Sequence, residues 1–296
     1  MTLRGRLERA AILTFVALLA SGSTAPLAAQ GVDAPESPPS ALQLGASSAL
    51  ERINAYRAGA GVSPAIAHPA LMRAAAGHVA YYDLNRGDAS LVGMGLHEQR
   101  ADAPGFTGAS MEARARAAGY ASSAVTENAG FGSIDGAIDW HMSTVNHRLP
   151  LIHPSALDVG LAASDASGFN IIQVGLRRDP AGVTLPSVYP PDGAGGVPTS
   201  WDGAEAPNPA PGIPRPLGYP VTVAFHVGQR VEWRNVELRN AAGDALDVST
   251  PRNEWMRALA IIPHRPLEAG QSYMASVEAV ADGRVISRTW TFTTAG

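Results

Sequence analysis

Six of the chain's eight histidines fall in one block: His68, His78, His97, His141, His147 and His153. An acid, Glu127, stands among them beside Asn128, and residues 127–148 (ENAGFGSIDGAIDWHMSTVNHR) carry two of the imidazoles on and after a helix-like run. Imidazoles and a carboxylate brought together by neighbouring elements can hold a divalent cation or exchange protons near neutral pH. Other chemistries drop out. With no cysteine there is no thiolate ligand, disulfide or cysteine nucleophile. All 22 basic residues are arginine, which excludes a Schiff-base or P-loop lysine, and a net charge of -4 leaves no basic footprint for nucleic acid. His97-Glu98 is followed by Ala101 where a zincin helix would place its second histidine. There is no G-x-S-x-G elbow, and Gly130-Phe131-Gly132 is too short to cradle a phosphate.

The elements that must position these residues are read from periodicity and caps. Ser47 or Ser48 can cap a first helix with Leu50, Ile53 and Tyr56 on one side, ending near Gly59. Pro69 suits the first position of a second helix running to about Asn85, with Leu71, Ala75, Val79 and Tyr82 as its stripe and His78 beside them as a hydrogen-bonded core residue. Residues 91–108, with His97, read as irregular, and Ser110 caps a short helix that stops at Gly119. Glu127 and Asn128 follow a loop, where the carboxylate either lines a cleft or ties down a tight turn. A helix then spans about residues 133–146, with His147 at its end, where a cation also suits the helix dipole. Residues 158–164 and 170–176 read as an antiparallel strand pair, which makes the stretch an α+β layered domain. Trp140 and Tyr120 are expected in the core, His141 and His153 at the surface or supporting the site.

At the start, Arg4, Arg6 and Arg9 precede an apolar run over residues 10–20 and small residues to Ala29. That is the layout of a secretory signal over residues 1–29, and the run is too short to span a bilayer, which needs about 20 apolar residues. Residues 30–46 form a flexible leader. The expected product is secreted, extracellular or periplasmic, with no transmembrane anchor. Residues 180–220 hold 11 of the chain's 23 prolines and read as an interdomain linker excluded from sheet interior. Beyond it the pattern switches to period two over residues 221–225, 231–238, 246–248, 259–262, 273–280 and 285–292, with Asp282-Gly283 as a hairpin signal. Six or seven short strands there predict an immunoglobulin-like β-sandwich over residues 221–296.

Residues 47–179 resemble the CAP superfamily (cysteine-rich secretory, antigen 5 and pathogenesis-related 1 proteins) in its cysteine-free bacterial form. The carriers are the run LERINAYR at residues 50–57, then Leu71 and AAAGHV at 74–79, and the loop from His97 to Gly108. They continue with Arg114, Ala118-Gly119-Tyr120, Glu127-Asn128, Trp140-His141-Met142-Ser143, His147-Arg148 and Asp158-Val159-Gly160. The resemblance implies an α-β-α sandwich with a central cleft, in which two histidines and two glutamates can hold zinc or another divalent cation. His97 looks like the first histidine, Glu127 the first glutamate and His147 the second histidine. Ser143 stands where the second glutamate would be, and Asp139 and Glu98 are the nearest substitutes by sequence. Asn128, Ser143 and Trp140 would support the cleft. Two functions follow as expectations. One is a binding module for a lipid, a peptide or a cell-wall fragment, its partner a small ligand or envelope component. The other is a metal-dependent hydrolase built on His97, Glu127 and His147.

Overall fold

The computed structural model describes residues 41–177 and 185–296, with side chains from residue 47. The expected signal sequence and residues 30–40 of the leader lie outside the described residues. Helix α1 spans Ala41–Gly59, so it begins before the expected Ser47/Ser48 cap and takes in the end of the leader. β1 (Ile66–Ala67) precedes α2 (Pro69–Leu84), which opens as expected with proline in its first turn; the His68 side chain accepts from the Ala70 N–H. A short 3-10 helix, Gly93–His97, lies within the stretch read as irregular and ends on His97; residues 98–108 carry no helix or strand, as expected. Ser110 caps α3 (Met111–Ala117), and Gly119, at φ +91°, terminates it.

Residues 125–131 depart from expectation. Glu127 and Asn128 lie in the middle of β2 (Val125–Phe131), not in a turn. The run VTENAGF is polar and small yet covered on both sides over its first half, so no alternation marks it as a strand. α4 (Ile134–Ser143) is capped by Ser133 and stops earlier than predicted. His147 then stands at the start of a separate helix, α5 (Arg148–Ile152), which removes the helix-end explanation for it. β3 (Ala156–Ala163) and β4 (Phe169–Leu176) form the expected antiparallel pair. The sheet order is β1-β3-β4-β2, placing β2 at an edge with Glu127 opposite Gln173 of β4.

Alternating residues of β3 and β4 serve two helical layers. Val159, Leu161, Ile172 and Val174 pack with Ile53 of α1, Ile138 and Met142 of α4, and Leu149 and Ile152 of α5. Ala162 and Ile171 face Ala75 and Val79 of α2 on the other side. A side chain at Gly160 would meet the Leu71 backbone at 2.2 Å, so glycine there sets how closely α2 lies on the sheet. This is the three-layer α-β-α arrangement that the resemblance implied.

The second half contains β5 (Ser187–Tyr189), β6 (Ala194–Val197), β7 (Ser200–Trp201), β8 (Leu217–Gly218), β9 (Val221–Ala224) and β10 (Val231–Arg239). It continues with β11 (Val248–Ser249), β12 (Arg252–Asn253), β13 (Ala258–Pro263), β14 (Ser272–Ala281) and β15 (Arg284–Thr294). Two sheets, β10-β14-β15-β6 and β11-β13-β9-β5, enclose a core that includes Val223, Phe225, Trp233, Leu259, Ile261, Tyr273, Val277, Trp290 and Phe292. Asp282 and Gly283 both adopt positive φ, 50° and 80°, and close the β14–β15 hairpin as predicted.

The linker reading does not survive over residues 185–220. β5 pairs with β9, β6 pairs in parallel with β15, and β7 pairs with β8. Prolines flank these pairing runs without interrupting them, Pro186 and Pro190 on either side of β5 and Pro198 after β6, so the missing N–H groups fall outside the ladders. The described residues form one compact unit, and Ala224, Met256 and Ala258 join the core of the first half. Among the described residues no helix is long and apolar enough to cross a membrane.

Candidate functional site

β2 is the element that gathers the site. Glu127 has no exposed side-chain surface and four close contacts. His97 Nδ1 lies 3.0 Å from its Oε1; Arg114 Nη2 donates to Oε1 at 2.9 Å and Oε2 at 2.8 Å; Gln173 Nε2 donates to Oε2 at 2.8 Å. Burial alone would raise this carboxyl, but the His97 bond and the Arg114 charge, with His78 also near, overcome it and hold the group at about 2. His78 lies 3.7 Å from Oε1 yet spends its ring nitrogens on the Leu96 carbonyl, 2.8 Å, and on Gln99, 2.9 Å. Burial presses it down to about 4, and it is the neutral core histidine expected.

His147 makes a second pair with an acid the sequence did not point to. Glu205, also without exposed side-chain surface, places Oε1 2.8 Å from His147 Nδ1 and 3.0 Å from the His147 backbone N, while Oε2 accepts from Val145 N at 3.0 Å. Burial pushes Glu205 upward, but the His147 bond and charge and the two backbone donors outweigh it and leave its carboxyl below the ordinary range. Glu205 sits in the loop closed by β7 and β8, far from its partner in sequence. It is the one glutamate in a proline-rich stretch that also holds Asp192 and Asp202, and no local spacing could have linked it to His147.

The two pairs share a logic. An ionised carboxylate only accepts, so in its neutral form either imidazole would carry the proton on Nδ1 and leave Nε2 as an acceptor. The rings keep 19% (His97) and 15% (His147) of their side-chain surface while their acids keep none, so only the imidazoles reach solvent. β2 also supports the second pair, since Asn128 Nδ2 donates to the His147 carbonyl at 2.8 Å. His141 links them: its ring stacks on His147 with centroids 5.0 Å apart and lies near enough to both His147 and His97 for the two imidazoles to disfavour its own protonation. It is buried, not at the surface, and among the described residues neither ring nitrogen has a hydrogen-bond partner. Burial, followed by the two neighbouring imidazoles, lowers it to about 3. Trp140, expected in the core, is 42% exposed with its ring 5.3 Å from His147. It forms an aromatic wall beside that imidazole.

The remaining candidates fall elsewhere. Ser143 turns its hydroxyl back to the Trp140 carbonyl at 2.6 Å, and Glu98 is exposed. Asp139 is engaged by Arg52 and by the Tyr56 hydroxyl on the outer face of α4. His153 is wholly buried, its Nε2 2.7 Å from the Met256 carbonyl, and serves the junction between the two halves. Among the described residues no three His, Asp or Glu side chains are arranged to hold a metal ion. The reason at His97 is chemical: the Arg114 guanidinium already occupies the Glu127 oxygens where a cation would bind. The set His97, Glu127 and His147 therefore does not fit a three-ligand metal site.

The cysteine-rich secretory protein (CAP) family model matches residues 50–174, a span that includes His97, Glu127 and His147. No curated protein sequence matches the chain significantly. Among solved structures, an extracellular protein containing a SCP domain from Bacillus anthracis is similar at 15% identity and a TM-score of 0.37, over 48% of this chain and 45% of that one. CopC from Methylosinus trichosporium OB3b is similar at 14% identity and a TM-score of 0.26, over 37% of this chain and 89% of that one. The match to the Bacillus protein thus spans less than half its length, and both likenesses are too slight to carry an argument about function. Residues 50–174 form a CAP domain of the cysteine-rich secretory protein family, in a cysteine-free form.

Proposed function

We propose that the CAP domain is a non-catalytic binding module of an exported protein, taking a small ligand such as a lipid, a peptide or a cell-wall fragment against the exposed edges of His97 and His147 and the face of Trp140. The observation that carries this reading is the state of Glu127. A carboxylate fully paired with Arg114, Gln173 and His97 and held at about 2 is a poor general base and has no free oxygen for a metal. What reaches solvent is part of two oriented imidazoles, that of His147 beside the Trp140 ring, and in the neutral form each suits a ligand with N–H or O–H donors.

The metal-dependent hydrolase reading loses its carboxylate ligand on the same observation. A divalent cation would be left to the Nε2 atoms of His97 and His147, with Glu127 and Glu205 orienting the rings from behind. Calorimetric titration of the full chain with phospholipids, peptides and peptidoglycan fragments tests the proposal. Saturable, near-stoichiometric binding of one class is expected, weakened at least tenfold by His97→Ala and by His147→Ala. Steady turnover of any of these compounds without saturable binding would overturn it.

A further inference from the structure

Residues 202–216 form a strap whose ends are closed by the β7–β8 ladder, Ser200 opposite Gly218 and Trp201 opposite Leu217. Trp201, Ala210 and Leu217 pack with Val145 of the CAP domain and with Ala260 and Ile262 of β13, so the strap has its own small core bridging the two halves. Further bonds near its ends and base fix it: Asn146 Nδ2 to the Pro207 carbonyl at 2.9 Å, Arg148 Nη1 to the Pro220 carbonyl at 2.6 Å, and the Tyr219 hydroxyl to the Met142 carbonyl at 3.2 Å. From this anchored loop a single buried carboxylate, Glu205, reaches the junction of α4 and α5.

We propose that Glu205, delivered by the second half of the chain, is the positioning residue of His147, so that the CAP cleft is a composite site completed by the strap. The alternative partner for His147 Nδ1 is the Thr144 hydroxyl, which lies 3.5 Å away and already donates to the His141 carbonyl at 2.8 Å. Only Glu205 is close enough to fix the ring. It does for His147 what Glu127 does for His97, locking the Nδ1–H tautomer and turning Nε2 outward. The strap's other anchors do not involve Glu205, so removing its carboxylate frees the imidazole while the strap stays in place. That the two Nε2 atoms meet a ligand rests on the proposed function; the orientation itself is read without one.

The test is long-range 1H–15N correlation of the full chain labelled in histidine, recorded with neutral imidazoles and no ligand. In the wild type the His147 pair is expected with a protonated Nδ1 and an unprotonated Nε2, and Glu205→Asp preserves that pattern. Glu205→Ala and Glu205→Leu shift His147 to a mixture of tautomers while the His97 signals keep their positions. A wild-type His147 with unprotonated Nδ1 overturns the proposal at once, without any variant. It is equally overturned by a His147 pattern unchanged in Glu205→Ala or Glu205→Leu, since loss of melting temperature alone would mark Glu205 as structural. Failure of every ligand titration, with the tautomer shift intact, would remove the binding reading and leave the positioning role standing.

Discussion

The two carboxylate–imidazole pairs reach the same end by different means. Glu127 is neutralised inside its own domain by the buried Arg114 guanidinium and by a cross-strand glutamine. Glu205 arrives from another part of the chain and relies on two backbone N–H groups and the imidazole itself. A buried charge can thus be held by a full countercharge or by convergent peptide dipoles, and the two differ in what their loss costs. The first pair belongs to the fold of the CAP domain; the second exists only because the two halves pack together.

The largest effect separates them directly. Arg114→Met leaves Glu127 buried without its countercharge and should cost about 3–5 kcal/mol of stability. Glu205→Ala leaves the Val145 and His147 N–H groups without their acceptor and should cost about 2–3 kcal/mol. Urea unfolding of both variants checks the order; a larger loss from Glu205→Ala would break the distinction drawn here.

A smaller and graded effect is expected with pH. His78, His141 and His153 sit at about 4, 3 and 4 in the folded chain, against about 6.5 when unfolded, so the unfolded state takes up protons first as pH falls. Stability should therefore decline from about pH 6.5 down to pH 3–4. Glu127, held at about 2 against an unfolded value of about 4.3, contributes stability that is complete above pH 4.3 and disappears as pH falls toward 2. In Arg114→Met this lower window should move to higher pH, because the carboxylate has lost its cation. In Glu205→Gln the Glu127 window should stay in place. Denaturant midpoints measured from pH 8 to pH 2.5 would show whether the windows separate in this way.

Local chemistry in the sequence was a good guide where it acted locally. Pro69, the Ser110 cap, the Asp282-Gly283 turn and the apolar β3 and β4 segments each set their own element, and each appears where the residues imply. β2 was missed because an edge strand packed on both sides over half its length has no period to read. The proline-rich stretch was misread because proline content says where ladder bonds are missing, not whether the residues between prolines pair. The family resemblance pointed to His97, Glu127, His147 and Asn128, and the structure puts His97 on Glu127 and Asn128 on the His147 carbonyl. Nothing pointed to Glu205, because a contact 58 residues away across a domain junction leaves no trace in local pattern. The burial of His141 and the exposure of Trp140 are likewise decided by how α4 rests against β2, which neither residue reveals alone.

The central claim is that the imidazole edges of His97 and His147 serve one ligand cleft. It is tested most directly by following both ring signals in histidine-labelled full chain while a peptidoglycan-derived muropeptide, a phospholipid and a short peptide are titrated in turn. One of these compounds is predicted to move both sets of resonances along a single saturable isotherm with a common Kd. Movement of one imidazole without the other at saturation, or consumption of the compound with neither ring perturbed, would contradict the account.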